Sequence, residues 1–303
     1  MEKEIVLGIK VDVDTERGTR IGVPQLYQLF ESLDIPATFL FSLGPDNTGR
    51  AIKRVFRKGF LTKVSRTSIV STYGVRTLLN GTLLPGPHIA KRHATIMQLG
   101  KDKGFEVGIH CYDHIKWQDG VKKMTFLNIE KEFQKALNAF QKVFETPAQT
   151  AGAPGWQANE KTLAVYDNAD LLYGSDCRGT HPFFPRIGDK TFRTLQIPTT
   201  LPTLDELVGR PEYPMEKLTA HYLSLLNTQA PNIMTIHAEL EGMKYLTWFT
   251  DFLKTLKAQH ITMTFKTLEQ IAKETLAHKE NIPVNEFLQG EVDGRSGKLA
   301  VQG

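Results

Sequence analysis

Short apolar runs alternate with amphipathic segments along most of the chain. The first run, Ile5 to Val13, is apolar at most positions and predicts a buried strand that ends at Asp12 or Asp14. The same pattern predicts seven more strands, over residues 37–42, 105–109, 148–153, 171–176, 194–198, 232–237 and 261–265. Helices are predicted between them, over residues 24–33, 122–144, 159–168, 215–226, 245–256 and 267–277. Strands that alternate with helices pair in parallel, so the pattern predicts an α/β fold of the (β/α) barrel type.

The alternation is interrupted between about residues 44 and 92, where we predict an insertion. Residues 50–66 contain seven lysines and arginines and no acidic residue, with apolar residues interleaved. A basic amphipathic segment of this kind suits an anionic membrane surface or a phosphate-bearing lipid. Two other interpretations stay open, a solvated basic helix packed on the barrel and, less favoured because aromatic residues are few, a nucleic-acid-binding segment.

Composition narrows the class of protein. The chain has 303 residues, 41% of them hydrophobic, and no apolar run long enough to predict a transmembrane helix. Its charged first residues are not typical of a signal peptide, and Cys111 and Cys177 cannot build a disulfide framework, so we expect a cytoplasmic protein with packed thiols. The net charge of +4 does not by itself indicate nucleic-acid binding. We expect one domain over residues 1–278 and a polar, poorly packed tail over residues 279–303.

Ionisable residues gather where the predicted strands end. These residues are Asp12, Asp14, His110, His114, Asp176 and His237. Asp12 and Asp14 lie two apart on a strand and point to the same side, and two histidines four apart share one face of a helical turn. One carboxylate and two imidazoles can hold a divalent cation, which leaves the other carboxylate as a base and His237 as an acid. Metal, base and acid together predict hydrolysis at a carbonyl, although spacing alone does not distinguish the role of Asp12 from that of Asp14.

The order of these residues resembles that of the NodB-type polysaccharide deacetylases. The shared features are Asp12-x-Asp14, His110-x-x-x-His114, the turn from Ala153 to Trp156, Ser175-Asp176 and Ile236-His237. Longer strings resemble one branch of that superfamily, the deformylases of undecaprenyl-phosphate-linked 4-deoxy-4-formamido-L-arabinose. Among these strings are Asp12 to Thr15, Arg17 to Arg20, Gly44 to Asn47, Ser175 to Gly179 and Thr235 to Glu239.

The resemblance implies a distorted seven-stranded barrel, a lipid-linked sugar substrate and a place at the inner leaflet of the bacterial inner membrane. It implies that Asp14, His110 and His114 hold a metal ion, and two histidines with one carboxylate suit zinc, cobalt, manganese or iron. It further implies that Asp12 is the general base, His237 the general acid and the Trp156 N–H an oxyanion donor. Gly155, Asp176, Arg178 and Glu239 complete the group of residues expected to lie around the substrate. No protein partner is expected.

Two departures from the wider superfamily bear on this site. Cys111 follows the first metal histidine, where the superfamily has serine or threonine, and Ala153 or a neighbour replaces an arginine that braces the base. Arg178 and Arg20 are the candidates to orient Asp12 instead. Two rival functions stay open, a soluble deacetylase of an N-acetylated glycan or nucleotide sugar, and a catalytically inactive protein that binds membrane surfaces.

Overall fold

A computed structural model describes residues 4–51, 69–259 and 263–303. Its strands are β1 (Ile5–Val13), β2 (Thr38–Ser42), β3 (Glu106–Cys111), β4 (Thr150–Ala151), β5 (Tyr173–Gly174), β6 (Phe184–Ile187), β7 (Lys190–Thr191), β8 (Leu195–Gln196), β9 (Asn232–His237), β10 (Met263–Lys266), β11 (Val284–Gly290) and β12 (Leu299–Gln302). Its α-helices are α1 (Val23–Ser32), α2 (Ile69–Leu79), α3 (Ile89–Asp102), α4 (His114–Gly120), α5 (Phe126–Phe144), α6 (Glu160–Asn168), α7 (Leu204–Leu207), α8 (Met215–Leu225), α9 (Leu246–Lys257) and α10 (Leu268–Leu276).

A parallel sheet forms the framework of the molecule. Seven strands follow one another in the order β10-β1-β2-β3-β4-β5-β8, and β9 also pairs with β1. The sheet curls until the segment after β8 meets β9, where the N–H groups of Thr200 and Leu201 donate to the carbonyl of Ile233 at 3.1 and 3.2 Å. The predicted distorted α/β barrel is therefore confirmed.

Strand β1 pairs with β2, β9 and β10, and both of its faces are buried. Leu7, Ile9, Val11 and Val13 belong to the core between the sheet and its surrounding helices. The intervening positions face the inside of the barrel, where a Cβ on Gly8 would lie 3.0 Å from side chains of β9 and α10. Near-continuous apolar sequence is typical of a parallel strand that is covered on both faces.

The surrounding helices present one apolar face each to the sheet. In α5, the longest of them, the buried residues recur every three or four positions, as Ile129, Phe133, Ala136 and Phe140. The Thr125 side chain accepts the Asn128 N–H at the start of this helix. Each large apolar side chain buried in this way contributes about 1.5–3 kcal/mol.

The C-terminal tail is folded, so the expectation of a poorly packed tail was wrong. Strand β11 pairs with β6 and with β12, and Leu299 and Ala300 are buried. Strand β12 also brackets Arg178, whose N–H donates to Ala300 and whose carbonyl accepts from Gln302. The polar composition of the tail concealed these strands because they depend on β6 and Arg178, a hundred or more residues away, rather than on a long apolar run.

The predicted insertion is described only in part. Helix α2 is interrupted at Gly74, whose φ is +78°, and a turn over residues 80–84 leads towards α3. Most of the basic amphipathic segment, residues 52–68, lies outside the described residues. No helix within the described ranges combines the length and apolar character needed to cross a bilayer.

Candidate metal centre and catalytic residues

Asp14, His110 and His114 meet at the mouth of the barrel. Asp14 directly follows β1, His110 lies near the end of β3, and His114 is the first residue of α4. One oxygen of Asp14, Oδ1, lies 3.2 Å from His110 Nε2 and 3.3 Å from His114 Nε2. The three ligand atoms lie within 4.8 Å of one another. This set of one carboxylate and two imidazoles is the arrangement predicted from the sequence.

The electrostatics of these three residues favour a cation between them. Burial raises the pKa of Asp14, but the neighbouring His114 and His110 outweigh it and hold that pKa well below its ordinary value. Burial lowers the pKa of His110, whereas Asp12 and Asp14 raise it, and the net shift is upward. Asp14 Oδ1 is buried without a hydrogen-bond partner. An ionised carboxylate oxygen directed at two imidazole nitrogens is a suitable donor set for a divalent cation, which would displace the protons.

A capping interaction fixes the direction of His114. The Asp113 side chain accepts the Lys116 N–H at 3.0 Å and so caps α4. Its other oxygen accepts from Asn47 Nδ2 at 2.7 Å. Asn47 belongs to the Gly44 to Asn47 string after β2, which explains why that string accompanies the histidine motif in the sequence.

Glu239 holds the residue after Asp14 in place by hydrogen bonding. Its Oε1 accepts both the N–H and the hydroxyl of Thr15, at 2.8 and 2.7 Å. Burial, and then the nearby Asp14, raises the pKa of Glu239 to about 8. Glu239 is 1% exposed and lies under Gly18, where a Cβ would approach its Oε1 to 2.0 Å. Glu239 therefore supports the segment that carries Asp14, and its place beside the substrate stays a prediction.

The segment after Thr15 is helical, so helical structure begins before residue 24, where we predicted the first helix to start. Residues Gly18–Gly22 form a π-helical turn that continues into α1. A Cβ on Gly22 would lie 2.0 Å from the Ala238 carbonyl. The glycines in this segment therefore permit close packing against the segment after β9, and they do not mark a loop.

Asp12 lies inside the barrel beside the metal cluster, and a lysine accompanies it. Asp12 Oδ1 is 3.8 Å from His110 Nδ1, and Asp12 Oδ2 is 3.6 Å from Lys10 Nζ. Lys10 is fully buried. The sequence analysis missed Lys10, although a lysine within an apolar strand, two positions before the predicted base, was a usable signal.

The two arginines suggested to orient Asp12 point elsewhere. Arg178 binds Glu206 at 2.6 Å and the carbonyls of Thr199 and Leu201. Arg20 pairs with Glu16 at 3.2 Å on the surface. Neither arginine is the brace of Asp12, because Arg178 is paired with Glu206 and Arg20 with Glu16.

His237 ends β9 directly beside Asp12, since the two residues are register partners on adjacent strands. Its N–H donates to Glu241 Oε2 at 2.9 Å, and its Nδ1 is buried without a hydrogen-bond partner. Burial raises the pKa of the fully buried Glu241 to about 8. Glu241 was not singled out in the sequence, where it follows the His237 to Glu239 string without a distinguishing pattern.

The backbone N–H of Trp156, which we predicted to be an oxyanion donor, is used within its own turn. Gly155 and Trp156 both have positive φ, +57° and +53°, and the Trp156 N–H donates to the Ala153 carbonyl at 3.0 Å. That bond occupies the donor on which the prediction depended. The indole is 2% exposed, its Nε1 donates to Thr199 Oγ1, and the guanidinium of Arg178 lies 5.1 Å from its ring centre. The indole is thus part of the barrel interior and not an open sugar platform.

Asp176 holds the same turn in place. It accepts the Ala153 N–H at 2.8 Å, Gln196 Nε2 at 3.0 Å and the Tyr166 hydroxyl at 3.2 Å. Burial raises its pKa to about 6 despite these donors. Asp176 is fully buried among these donors and supports the turn, and its place beside the substrate stays a prediction.

The two cysteines are packed thiols, as predicted. Both are free and buried, and burial raises the pKa of each thiol well above its ordinary value. The Cys111 sulfur lies 3.4 Å from Ser42 Oγ. Neither thiol is poised to act as a nucleophile, because the reactive form is the thiolate.

Curated relatives share nearly the full length of the chain. It is 38% identical over 297 residues to a protein of Shewanella sediminis (strain HAW-EB3), and these residues cover 98% of this chain and 94% of the relative. It is 35% identical over 287 residues to a protein of Wigglesworthia glossinidia brevipalpis, covering 94% and 98%. Both bear the name probable 4-deoxy-4-formamido-L-arabinose-phosphoundecaprenol deformylase ArnD. The chain belongs to this deformylase family.

The fold of this ArnD-type chain is shared more widely. A crystal structure from Mycobacterium smegmatis that bears the name of a polysaccharide deacetylase superposes with a TM-score of 0.66 at 16% identity, covering 96% of each chain. At this identity the similarity concerns the fold alone. No protein-family model matches the chain. The family predicted from the Asp12, His110 and His237 motifs is nevertheless confirmed through the two relatives.

Proposed function

We propose that the protein removes the formyl group from undecaprenyl-phosphate-linked 4-deoxy-4-formamido-L-arabinose. Water and the formamide would give formate and the 4-amino sugar on its lipid phosphate, for use in lipid A modification and polymyxin resistance. The observation that carries the proposal is the cluster of Asp14, His110 and His114 with Asp12 and His237 beside it. The names of the two relatives support the substrate.

Asp14, His110 and His114 would hold a divalent cation, for which zinc, cobalt and manganese are the candidates. Such a cation supplies Lewis-acid polarisation of a carbonyl and a lowered pKa for a water molecule. The donor set fits, because Asp14 Oδ1 is buried, lacks a hydrogen-bond partner and faces both imidazoles.

Asp12 and His237 would move the protons of the reaction. Asp12 would accept a proton from the attacking water, since its Oδ1 is buried, has no hydrogen-bond partner and faces the metal cluster. His237 would deliver a proton to the departing amine, which is a poor leaving group as an anion. The two residues are register partners on neighbouring strands, which supports roles as base and acid on one rim of the barrel.

An apolar turn near this rim supports a membrane-surface role. The turn over residues 80–84 contains Leu83, which is 82% exposed, and Val75 of the preceding helix α2 is 63% exposed. Arg50 Nε donates to the Gly81 carbonyl at 2.9 Å, which puts a guanidinium beside the turn. Gly81 packs on Asn47, whose side chain binds the cap of the helix that carries His114. We therefore propose peripheral attachment to the inner leaflet, with the basic segment 50–69 contributing further cations.

Mass spectrometry of the formamido-arabinosyl lipid tests the proposed function. Incubation with metal-loaded protein should convert the lipid to the free amine with release of one formate per molecule. The chelated protein and Asp12→Asn serve as negative controls. An N-acetyl analogue of the same lipid provides the decisive comparison, because preferential release of acetate would replace the deformylase proposal with a deacetylase.

A further inference from the structure

Lys10 is a buried charge that needs an explanation. Its side chain is completely buried within the barrel, below the metal cluster. An ammonium group removed from water is strongly unfavourable unless it is paired or well hydrogen-bonded. Its nearest partners are the Ser175 carbonyl at 3.3 Å and Asp12 Oδ2 at 3.6 Å.

The barrel provides a dedicated space for this ammonium group. Lys10 and Asp12 are two apart on β1, so both side chains enter the barrel from the same face. A Cβ on Gly152 would lie 3.6 Å from Lys10 Nζ and would collide with Leu40 at 2.6 Å. The indole of Trp156 forms another wall, with its ring centre 5.7 Å from Nζ. Asp12 is the carboxylate paired with this ammonium, whereas Asp176, which also lies within reach of its charge, is bonded to the Ala153 N–H and to the side chains of Gln196 and Tyr166.

The contact makes the two oxygens of Asp12 different from each other. Oδ2 faces Lys10, whereas Oδ1 faces His110 and is buried without a hydrogen-bond partner. A carboxylate free to rotate would present either oxygen to the cluster. An ammonium that attracts Oδ2 from below keeps Oδ1 directed at the position of the attacking water.

We propose that Lys10 is the positioning residue of the catalytic base, holding Asp12 so that Oδ1 is the atom that accepts the proton. This role rests on the proposed function, in which Asp12 is the base. Lys10 does not touch the substrate and acts through Asp12. Neither Arg178 nor Arg20 supplies this charge, because they pair with Glu206 and Glu16.

Steady-state kinetics of Lys10→Met, Lys10→Arg and Asp12→Asn test the role. Misplacement of a catalytic group by about 1 Å costs about 100-fold in rate. Lys10→Met should therefore lose about 100-fold in kcat, keep KM within threefold and bind the same amount of metal. Lys10→Arg should recover part of the loss because the charge is restored. In the Asp12→Asn background, Lys10→Met should have no further effect on kcat.

Three results would overturn the proposal. The first is a Lys10→Met variant with kcat within threefold of the wild type. The second is a Lys10→Met variant that no longer binds the metal. The third is an undiminished further loss of kcat when Lys10→Met is added to Asp12→Asn. Urea unfolding of the wild type, Lys10→Met, Asp12→Asn and the double variant after chelation measures the contact without turnover, and the double variant should be less destabilised than the sum of the two single ones. If the wild type hydrolyses no formamide, the proposed function fails, whereas additive unfolding energies would contradict the Lys10 contact itself.

Discussion

Asp12 and His237 are register partners on the adjacent parallel strands β1 and β9. The pairing puts the proposed base and acid side by side on one rim, next to the cluster of Asp14, His110 and His114. Because β9 follows β1 by more than two hundred residues, the barrel itself brings the two groups together. Their roles differ in the proton that each one moves, and this difference can be measured.

Asp12→Asn and His237→Ala should each lower kcat about 10²–10⁴-fold, the usual contribution of a general base or acid. The losses should respond differently to the leaving group. With an activated N-formyl arylamine, whose amine departs without full protonation, His237→Ala should recover most of its activity and Asp12→Asn should recover none. Equal losses on both substrates would contradict the division of roles, and unchanged metal content is the control.

Removal of the metal should abolish turnover. Chelation should leave no measurable deformylation, and adding back zinc, cobalt or manganese one at a time should identify the ion that restores it. His114→Ala should bind substoichiometric metal, since it removes one of three ligands. His221→Ala changes a histidine that packs on Tyr213 outside the cluster and should keep both metal and activity. Full activity after complete chelation would refute the metal centre.

Periodicity and strand-end chemistry were enough to predict the barrel and the cluster of Asp14, His110 and His114. Asp14, His110 and His114 are close in the fold because they lie at the ends of β1 and β3, which flank β2 in one parallel sheet, and parallel strands end at the same rim. The residues that orient this cluster could not be predicted in the same way. Glu239 and Asp176 have the carboxyl side chains expected of catalytic residues, and only their hydrogen bonds show that they hold turns in place.

Lys10 and the tail were missed for different physical reasons. Burying a lysine within an apolar strand is unfavourable. The free-energy cost is offset by Asp12 and by the carbonyl of Ser175, which follows β5, and the sequence does not reveal the contact with Ser175. Strands β11 and β12 are short, and their stability comes from pairing with β6 and with Arg178. Both depend on contacts between distant parts of the chain, which local patterns do not encode.

Glu241 should make the stability of the protein depend on pH. An ordinary glutamic acid ionises near pH 4.5, whereas burial raises the pKa of folded Glu241 to about 8, with a smaller contribution from Asp205. Between these values the folded state binds more protons than the unfolded state. The stabilisation is therefore fully present below about pH 4.5 and is lost as the pH rises through about 8, with a slope of at most about 1.4 kcal/mol per pH unit.

Glu241→Gln removes this titration and keeps an oxygen for the His237 N–H. Urea unfolding at pH 5 and pH 8 should show a smaller loss of stability in the variant than in the wild type. Glu280→Gln, at a side chain that is 71% exposed, is the matched control and should leave the difference unchanged. A wild-type protein and a Glu241→Gln variant with the same pH profile would show that Glu241 is not protonated in the fold.

The apolar turn should contribute to membrane attachment. Leu83→Glu places a charge at a position that is 82% exposed and should weaken binding to vesicles that contain anionic lipid, while hydrolysis of a soluble analogue stays unchanged. Leu288→Glu, at a position on β11 that is 47% exposed, is the control and should bind as the wild type does. Deletion of residues 50–69 should have a larger effect than Leu83→Glu. Vesicle binding unaffected by this deletion would refute the membrane role.

Arg295 should stabilise the fold from the C-terminal tail. Its Nε binds Glu206 at 2.7 Å, and its guanidinium lies 4.6 Å from the ring centre of Trp156. Glu206 is 2% exposed and shares the same oxygen with Arg178, so loss of one arginine leaves a buried carboxylate half-paired.

Breaking a buried ion pair from one side costs about 3–5 kcal/mol, whereas an exposed pair contributes about 0–1 kcal/mol. Arg295→Met should therefore lower the free energy of unfolding by about 3 kcal/mol. Arg186→Met breaks an exposed pair with Glu286, between β6 and β11, and should cost less than about 1 kcal/mol. Equal effects of the two substitutions, measured by urea unfolding at pH 7, would mean that the tail does not stabilise the Trp156 turn through Arg295.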